Sequence, residues 1–139
     1  MAMAPRLKAL ERGPPMAQAP LVLIVDDEQA LRELICDLLT DVGYRTATAT
    51  NGAAAFDSMR CTAPDLILLD VAMPIMDGLT FLRRHRADQH RPSVPVVIMS
   101  AERREVEARQ LGAAQFVSKP FDLDHLLSVI EHCLPPEVR

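Results

Sequence analysis

The chain lacks any apolar run approaching the roughly 18 to 20 residues that cross a bilayer. Leu21-Val22-Leu23-Ile24-Val25 is a single strand's worth. Its first ten residues hold no unbroken apolar stretch of the secretory type, so a cytoplasmic protein with no membrane partner is expected. Positive charge is not in excess: 15 Lys and Arg stand against 19 Asp and Glu, a net charge of −4 at pH 7. Direct nucleic-acid binding needs a cationic face to neutralise phosphates, so that class is set aside. Cysteine is scarce and odd in number, with Cys36, Cys61 and Cys133 widely spaced among apolar neighbours. These read as reduced packing residues, and the histidines show no metal-ligand spacing with them. Lysine is scarcer still, since Lys8 and Lys119 are the only two. Internal repeats and low-complexity tracts are absent.

The composition is 49% hydrophobic and 24% charged, that of a folded globular chain, and 139 residues suit one domain. Residues 1–20 concentrate proline and are expected to be a flexible leader, with Met16 a candidate start. The domain proper is expected over 21–134, and Pro135-Pro136 opens a C-terminal tail, 135–139. A stand-alone domain is expected, with no DNA-binding or enzymatic output domain after residue 139.

Leu21 to Val25, Leu66 to Leu69 and Val94 to Met99 are short apolar runs without polar alternation, the pattern of parallel strands covered on both faces. Tyr44 to Ala49 and Gln115 to Ser118 are weaker strands that suit an edge. Between them the period becomes helical. Leu31, Leu34, Ile35, Leu38, Leu39 and Val42 share one stripe that Gly43 ends. Leu123, Leu126, Leu127 and Ile130 repeat it behind Asp122 as N-cap. Asn51 to Arg60 and Asp77 to Arg84 are two further helices. Arg103 to Leu111 offers little beyond Val106, Ala108 and Leu111, so it should be the least firmly anchored. Strands alternating with helices build an α/β doubly wound parallel sheet, whose ligands bind beyond the carboxyl ends of the strands.

Those ends carry Asp26-Asp27-Glu28, Asp70, Ser100 and Ser118-Lys119-Pro120. If the strands are neighbours, three carboxylates converge beside a hydroxyl and an ammonium. Two carboxylates ~4 Å apart repel by about 4 kcal/mol at an effective dielectric of about 20. They stay ionised together only beside a cation. A hard divalent ion with oxygen ligands, Mg²⁺ keeping several waters, fits. A phosphoryl group could then be held by Mg²⁺, Lys119 and Ser100 while a carboxylate oxygen of Asp70 attacks phosphorus.

Each residue also has a plainer account. Asp26 with Gln29 three residues later resembles a capping box, and Ser100 could cap the following helix. A single Lys is most often solvated, although a Lys in a chain that otherwise uses Arg suggests a need for a compact point charge. The basic stretch from Arg83 to Arg91 suits the negative end of a helix dipole better than a docking site.

Val25-Asp26-Asp27-Glu28, Leu69-Asp70-Val71-Ala72-Met73-Pro74-Ile75-Met76-Asp77-Gly78, Ser100-Ala101 and Lys119-Pro120-Phe121 together resemble the receiver domain of two-component response regulators over about residues 20 to 134. The resemblance implies a flavodoxin-like (βα)5 sheet of order 2-1-3-4-5. It implies that Asp70 accepts a phosphoryl group from a histidine kinase or histidine phosphotransfer protein. Asp27, Asp70 and the Ala72 carbonyl would ligate Mg²⁺, with Asp26 acting largely through water. Lys119 would contact the phosphoryl group, and Ser100 would turn toward it. Phe116 matches the family's switch aromatic, though a buried strand Phe is an equal account. The Lys119-Pro120 bond would be cis. The face of the fourth helix, fifth strand and fifth helix would meet a downstream protein target, from a monomer or weak dimer.

Three other readings compete. A phosphatase of the haloacid dehalogenase type also uses a strand-end Asp with Mg²⁺, but needs a second Asp where Ala72 stands. A receiver-like protein-binding module that no longer takes phosphate would not need the full set of groups. Nucleotide binding lacks its Gly-rich loop, since Asp26-Asp27-Glu28-Gln29 comes directly after the first strand.

Overall fold

The three uninterrupted apolar runs form the middle of the sheet. A computed structural model describes residues 19–73, 75–88 and 94–134. The tail and all but the last two residues of the leader lie outside these ranges. Among the described residues five strands alternate with five helices. The strands are β1 (Leu21–Val25), β2 (Arg45–Ala49), β3 (Leu66–Asp70), β4 (Val96–Ser100) and β5 (Gln115–Ser118). The helices are α1 (Gln29–Asp41), α2 (Gly52–Cys61), α3 (Gly78–Ala87), α4 (Glu105–Gln110) and α5 (Leu123–Cys133). All neighbouring strands run parallel in the order β2-β1-β3-β4-β5, the flavodoxin-like arrangement expected.

Every residue of β1, β3 and β4 is buried, which is why these strands carry no polar alternation. Successive side chains leave a strand on opposite faces and so feed two apolar layers. Leu23, Val25, Ile67, Leu69 and Ile98 pack with Ala55 and Met59 of α2, Leu79 and Leu82 of α3, and Ala108 of α4. Val22, Ile24, Leu68, Val97 and Met99 pack with Ile35 and Leu39 of α1 and Leu126 and Ile130 of α5. With a layer on each side, the strand ends at one edge remain the open place in the fold.

Several expectations need correction. Leu34, placed on the apolar stripe of α1, is 47% exposed, because it stands about 100° around the helix from the fully buried Ile35. Val106 is 70% exposed, and α4 spans only Glu105–Gln110, with no side-chain cap bond from Arg104. Cys61 is exposed at the end of α2; all three thiols are free. Ala19 and Pro20, assigned to the leader, are tied to the edge of β2: their carbonyl oxygens accept from the Arg45 side chain and backbone N–H at 2.9 Å each. The basic stretch divides. Arg83 and Arg84 are exposed, His85 is buried and stacked on Phe81, and Arg86 donates to the carbonyls of Val94 and Gly112. No helix among the described residues is long and apolar enough to cross a membrane.

Candidate functional site

Val25 of β1 pairs with Leu69 of β3, so the next residue of each chain segment, Asp26 and Asp70, stand side by side at the sheet edge. Both side chains are nearly covered, at 1% and 7% exposed. Such a pair needs a countercharge, and Lys119 at the end of β5 supplies one. Its Nζ donates to Asp26 Oδ2 at 2.9 Å and to Asp70 Oδ1 at 3.2 Å. The Lys119 N–H donates to the Ser100 carbonyl at 2.8 Å, and the Lys119-Pro120 peptide is cis, as expected. Asp27 is exposed, and one carboxylate oxygen from each of Asp26, Asp27 and Asp70 lies within 4.8 Å of the others.

Burial, seconded by the negative charge of Asp26, raises the Asp70 pKa above the usual carboxylate value, while Lys119 pulls it partly back. Burial is also the largest single influence on Lys119 and works against its charge. The hydrogen bonds and charges of Asp26 and Asp70 together outweigh it, so the ammonium is held more firmly than usual. The pocket therefore keeps its cation, and its three carboxyl groups outnumber the one ammonium. Three hard carboxylate oxygens with one exposed member suit a small divalent ion that retains water.

The capping account of Asp26 is overturned. Glu28 occupies the N-cap of α1, and Asp26 Oδ1 instead accepts from the Glu28 N–H at 2.9 Å, turning the chain just before the helix. Gln29 donates to Glu33, and Arg32 Nη1 donates to the Asp26 carbonyl at 2.8 Å. Ser100 does not cap α4 either; its Oγ accepts from the Glu102 N–H at 2.9 Å while the residue stays buried. Beyond Asp70 lies α3, whose Thr80 N–H is capped by Asp77 Oδ1. Gly78 is required there: a Cβ at that position would collide with the Asp70 carbonyl oxygen and lie 2.9 Å from the Val71 Cα.

Residues 22–131 match the family model for the response regulator receiver domain. The chain belongs to the response regulator receiver domain family. It is 37% identical over 117 residues to the sporulation initiation phosphotransferase F of Bacillus subtilis (strain 168), covering 82% of this chain and 93% of that protein. Chemotaxis protein CheY of the same organism is 36% identical over 115 residues, covering 81% of this chain and 96% of that protein. The DNA-binding transcriptional regulator NtrC of Escherichia coli (strain K12) is 34% identical over 120 residues, 84% of this chain, but the chain spans only 25% of that regulator. Among solved structures, the chemotaxis response regulator CheY4 of Vibrio cholerae superposes with a TM-score of 0.78 at 29% identity, covering 84% of this chain and 99% of that one. The response regulator TrrA of Thermotoga maritima, in complex with Mg(2+)-BeF, superposes with a TM-score of 0.75 at 28% identity, covering 83% and 99%.

This receiver domain brings together Asp26, Asp27, Asp70 and Lys119 in one pocket. Ser100 ends the strand between those of Asp70 and Lys119. Ala72 lies two residues after Asp70 and is exposed in the β3–α3 loop. Phe116 pairs with Ile98 in the sheet and packs, half-buried, against the layer of α2, α3 and α4. Sequence reasoning missed the residues that hold this loop, Gly52, Met76 and Gly78 among them. Gly52 and Gly78 each left a signal, as the glycine just after a helix cap, Asn51 and Asp77.

Proposed function

We propose that Asp70 of this receiver domain accepts a phosphoryl group from the phosphohistidine of a histidine kinase or histidine phosphotransfer protein in a Mg²⁺-dependent reaction. The observation that carries this reading is the Lys119 ammonium bridging Asp26 and Asp70, with the Asp27 carboxylate beside them. Asp26, Asp27, Asp70 and the Ala72 carbonyl are the residues that would hold Mg²⁺. Bound there, the ion would offset negative charge on the phosphoryl oxygens. An Asp70 carboxylate oxygen attacks phosphorus, the P–N bond breaks with its electron pair returning to imidazole, and a P–O bond closes the acyl phosphate. Lys119 orients the carboxylate by its hydrogen bond and stands ready for a phosphoryl oxygen. The Ser100 hydroxyl accepts from Glu102 and keeps its own hydrogen to donate.

Phosphorylation adds charge beside a half-buried ammonium and a buried hydroxyl, a local event able to bias a two-state element. The α4, β5 and α5 face, with Phe116 in its strand, is the surface proposed to meet a downstream protein. We place the chain in the cytoplasm as a signalling domain, not a turnover phosphatase, because Ala72 offers no second acid. The reading as a binding module without phosphate is disfavoured by the presence of acceptor, acidic partners and ammonium in one pocket.

Intact-mass measurement after incubation with acetyl phosphate and Mg²⁺ tests the proposal. One phosphoryl group should be gained, be removed by hydroxylamine, and be absent from Asp70→Asn. Labelling that survives Asp70→Asn overturns the acceptor assignment. Lys119→Ala should still bind Mg²⁺ but lose the conformational response, checked by amide chemical shifts with and without a beryllofluoride mimic.

A further inference from the structure

In the loop between the acceptor strand and α3, Val71 and Met76 are each held by a backbone hydrogen bond. At its base, the Gly78 N–H donates to the Val71 carbonyl at 2.9 Å and closes the loop. At its far side it rests on the start of α2. There the Gly52 N–H donates to the Met76 carbonyl at 3.3 Å, and the Met76 side chain fills the space that Gly52 leaves by lacking a Cβ. A Cβ at Gly52 would lie 2.8 Å from Met76 Sδ and 2.9 Å from its Cγ, closer than such atoms pack.

A second observation marks the same place. Ile75, next to Met76, is the one non-glycine among the described residues with a positive φ, at 70°, and is 84% exposed. A left-handed conformation costs an L-residue about 1–2 kcal/mol, more unwelcome when the side chain is β-branched. A fold keeps such a residue only where its neighbours determine the path of the chain. Here the turn at Ile75 leaves its own side chain in solvent while Met76 packs with the apolar layer of α2 and α3.

We propose that Met76 seated on Gly52 positions the loop bearing the Ala72 carbonyl, and so sets the affinity of the acidic pocket for Mg²⁺. Gly52 and Met76 are positioning residues, acting through the loop and touching neither metal nor phosphoryl group. The inference rests on the phosphoacceptor reading and adds to it a part of α2 that contributes no ligand.

The test is a Mg²⁺ titration followed by amide chemical shifts, with urea unfolding of each variant alongside. Gly52→Ala should weaken Mg²⁺ binding about tenfold, the usual size when a support behind a ligand is moved. Gly52 is the first residue of α2 and the overlap is with the flexible Met76 side chain, so the stability of Gly52→Ala should change little while metal affinity falls. A merely structural role would move the two together. The double variant Gly52→Ala, Met76→Ala removes the overlapping Cγ and Sδ and should recover most of the affinity. Gly43→Ala serves as control, since Gly43 has a φ of +103° and nothing within 4 Å of an added Cβ. It should lose stability and keep native Mg²⁺ binding. Native affinity in Gly52→Ala, no recovery in the double variant, or equal weakening in Gly43→Ala overturns the seat alone. Failure of the native protein to bind Mg²⁺ overturns the seat together with the metal-dependent reading beneath it.

Discussion

The helices either side of β5 are held very differently. α5 has 11 residues, opens on an Asp122 side chain that accepts from the Asp124 N–H, and buries Leu126 and Ile130 completely. α4 has 6 residues, opens on Arg104 without a side-chain cap, and buries Ala108 alone. Its ion pairs, Arg104 with Glu107 and Arg109 with Glu105, lie in water, where such pairs add little. One strand is thus bordered by a well-anchored helix and a lightly held one. Rearrangement on the α4 side disturbs little buried surface, so a modest local change at the strand ends can be expressed there first.

The contrast can be broken by substitution. Ile130→Ala should have the largest effect, a loss of about 3 kcal/mol in urea unfolding, from a fully buried side chain deleted next to β5. A smaller effect of opposite sign is expected in the pocket: Asp70→Asn should stabilise the metal-free protein at neutral pH. Folding raises the Asp70 pKa above its ordinary value of 3.8. The stability associated with the protonated carboxyl is therefore present below that value and lost as pH rises through the folded pKa. The advantage of Asn should shrink as urea midpoints are measured toward acid pH. Asp122→Ala should then cost about 1 kcal/mol through loss of the α5 cap. Val106→Ala should change stability by less than about 0.5 kcal/mol, since that side chain is largely in water. Hydrogen exchange sharpens the same comparison, with faster exchange expected in α4 than in α5; equal protection would mean that the contrast has no dynamic consequence.

Asp26 and Asp70 were legible at the sheet edge because strands buried on both faces leave unbroken apolar runs, and the residue just past such a run lies at that edge. Lys119 follows a weaker, partly exposed strand and stood out as a Lys in a chain that otherwise uses Arg. The cap at Asp122 was marked by the helical stripe behind it. The strand order followed from the resemblance of the motifs to the receiver family. Asp26 was ambiguous because an acidic residue before a helix fits both a cap and a pocket, and only the backbone path shows Glu28 at the cap. The exposed positions of Leu34 and Val106 were hidden because periodicity tells which residues share a stripe but not how wide the covering layer is. The contact of Met76 with Gly52 left no trace, because it depends on the space between two loops distant in sequence.

The separation of the pocket's parts along the chain has a consequence for biosynthesis. Once β1 and β3 pair, Asp26 and Asp70 are neighbours, yet Lys119 is joined 49 residues after Asp70. A nascent chain halted between them would hold two adjoining carboxylates without their ammonium. Closure of this region therefore awaits the last strand, and ribosome-bound intermediates should depend on acidity or divalent salt in a way the finished molecule does not.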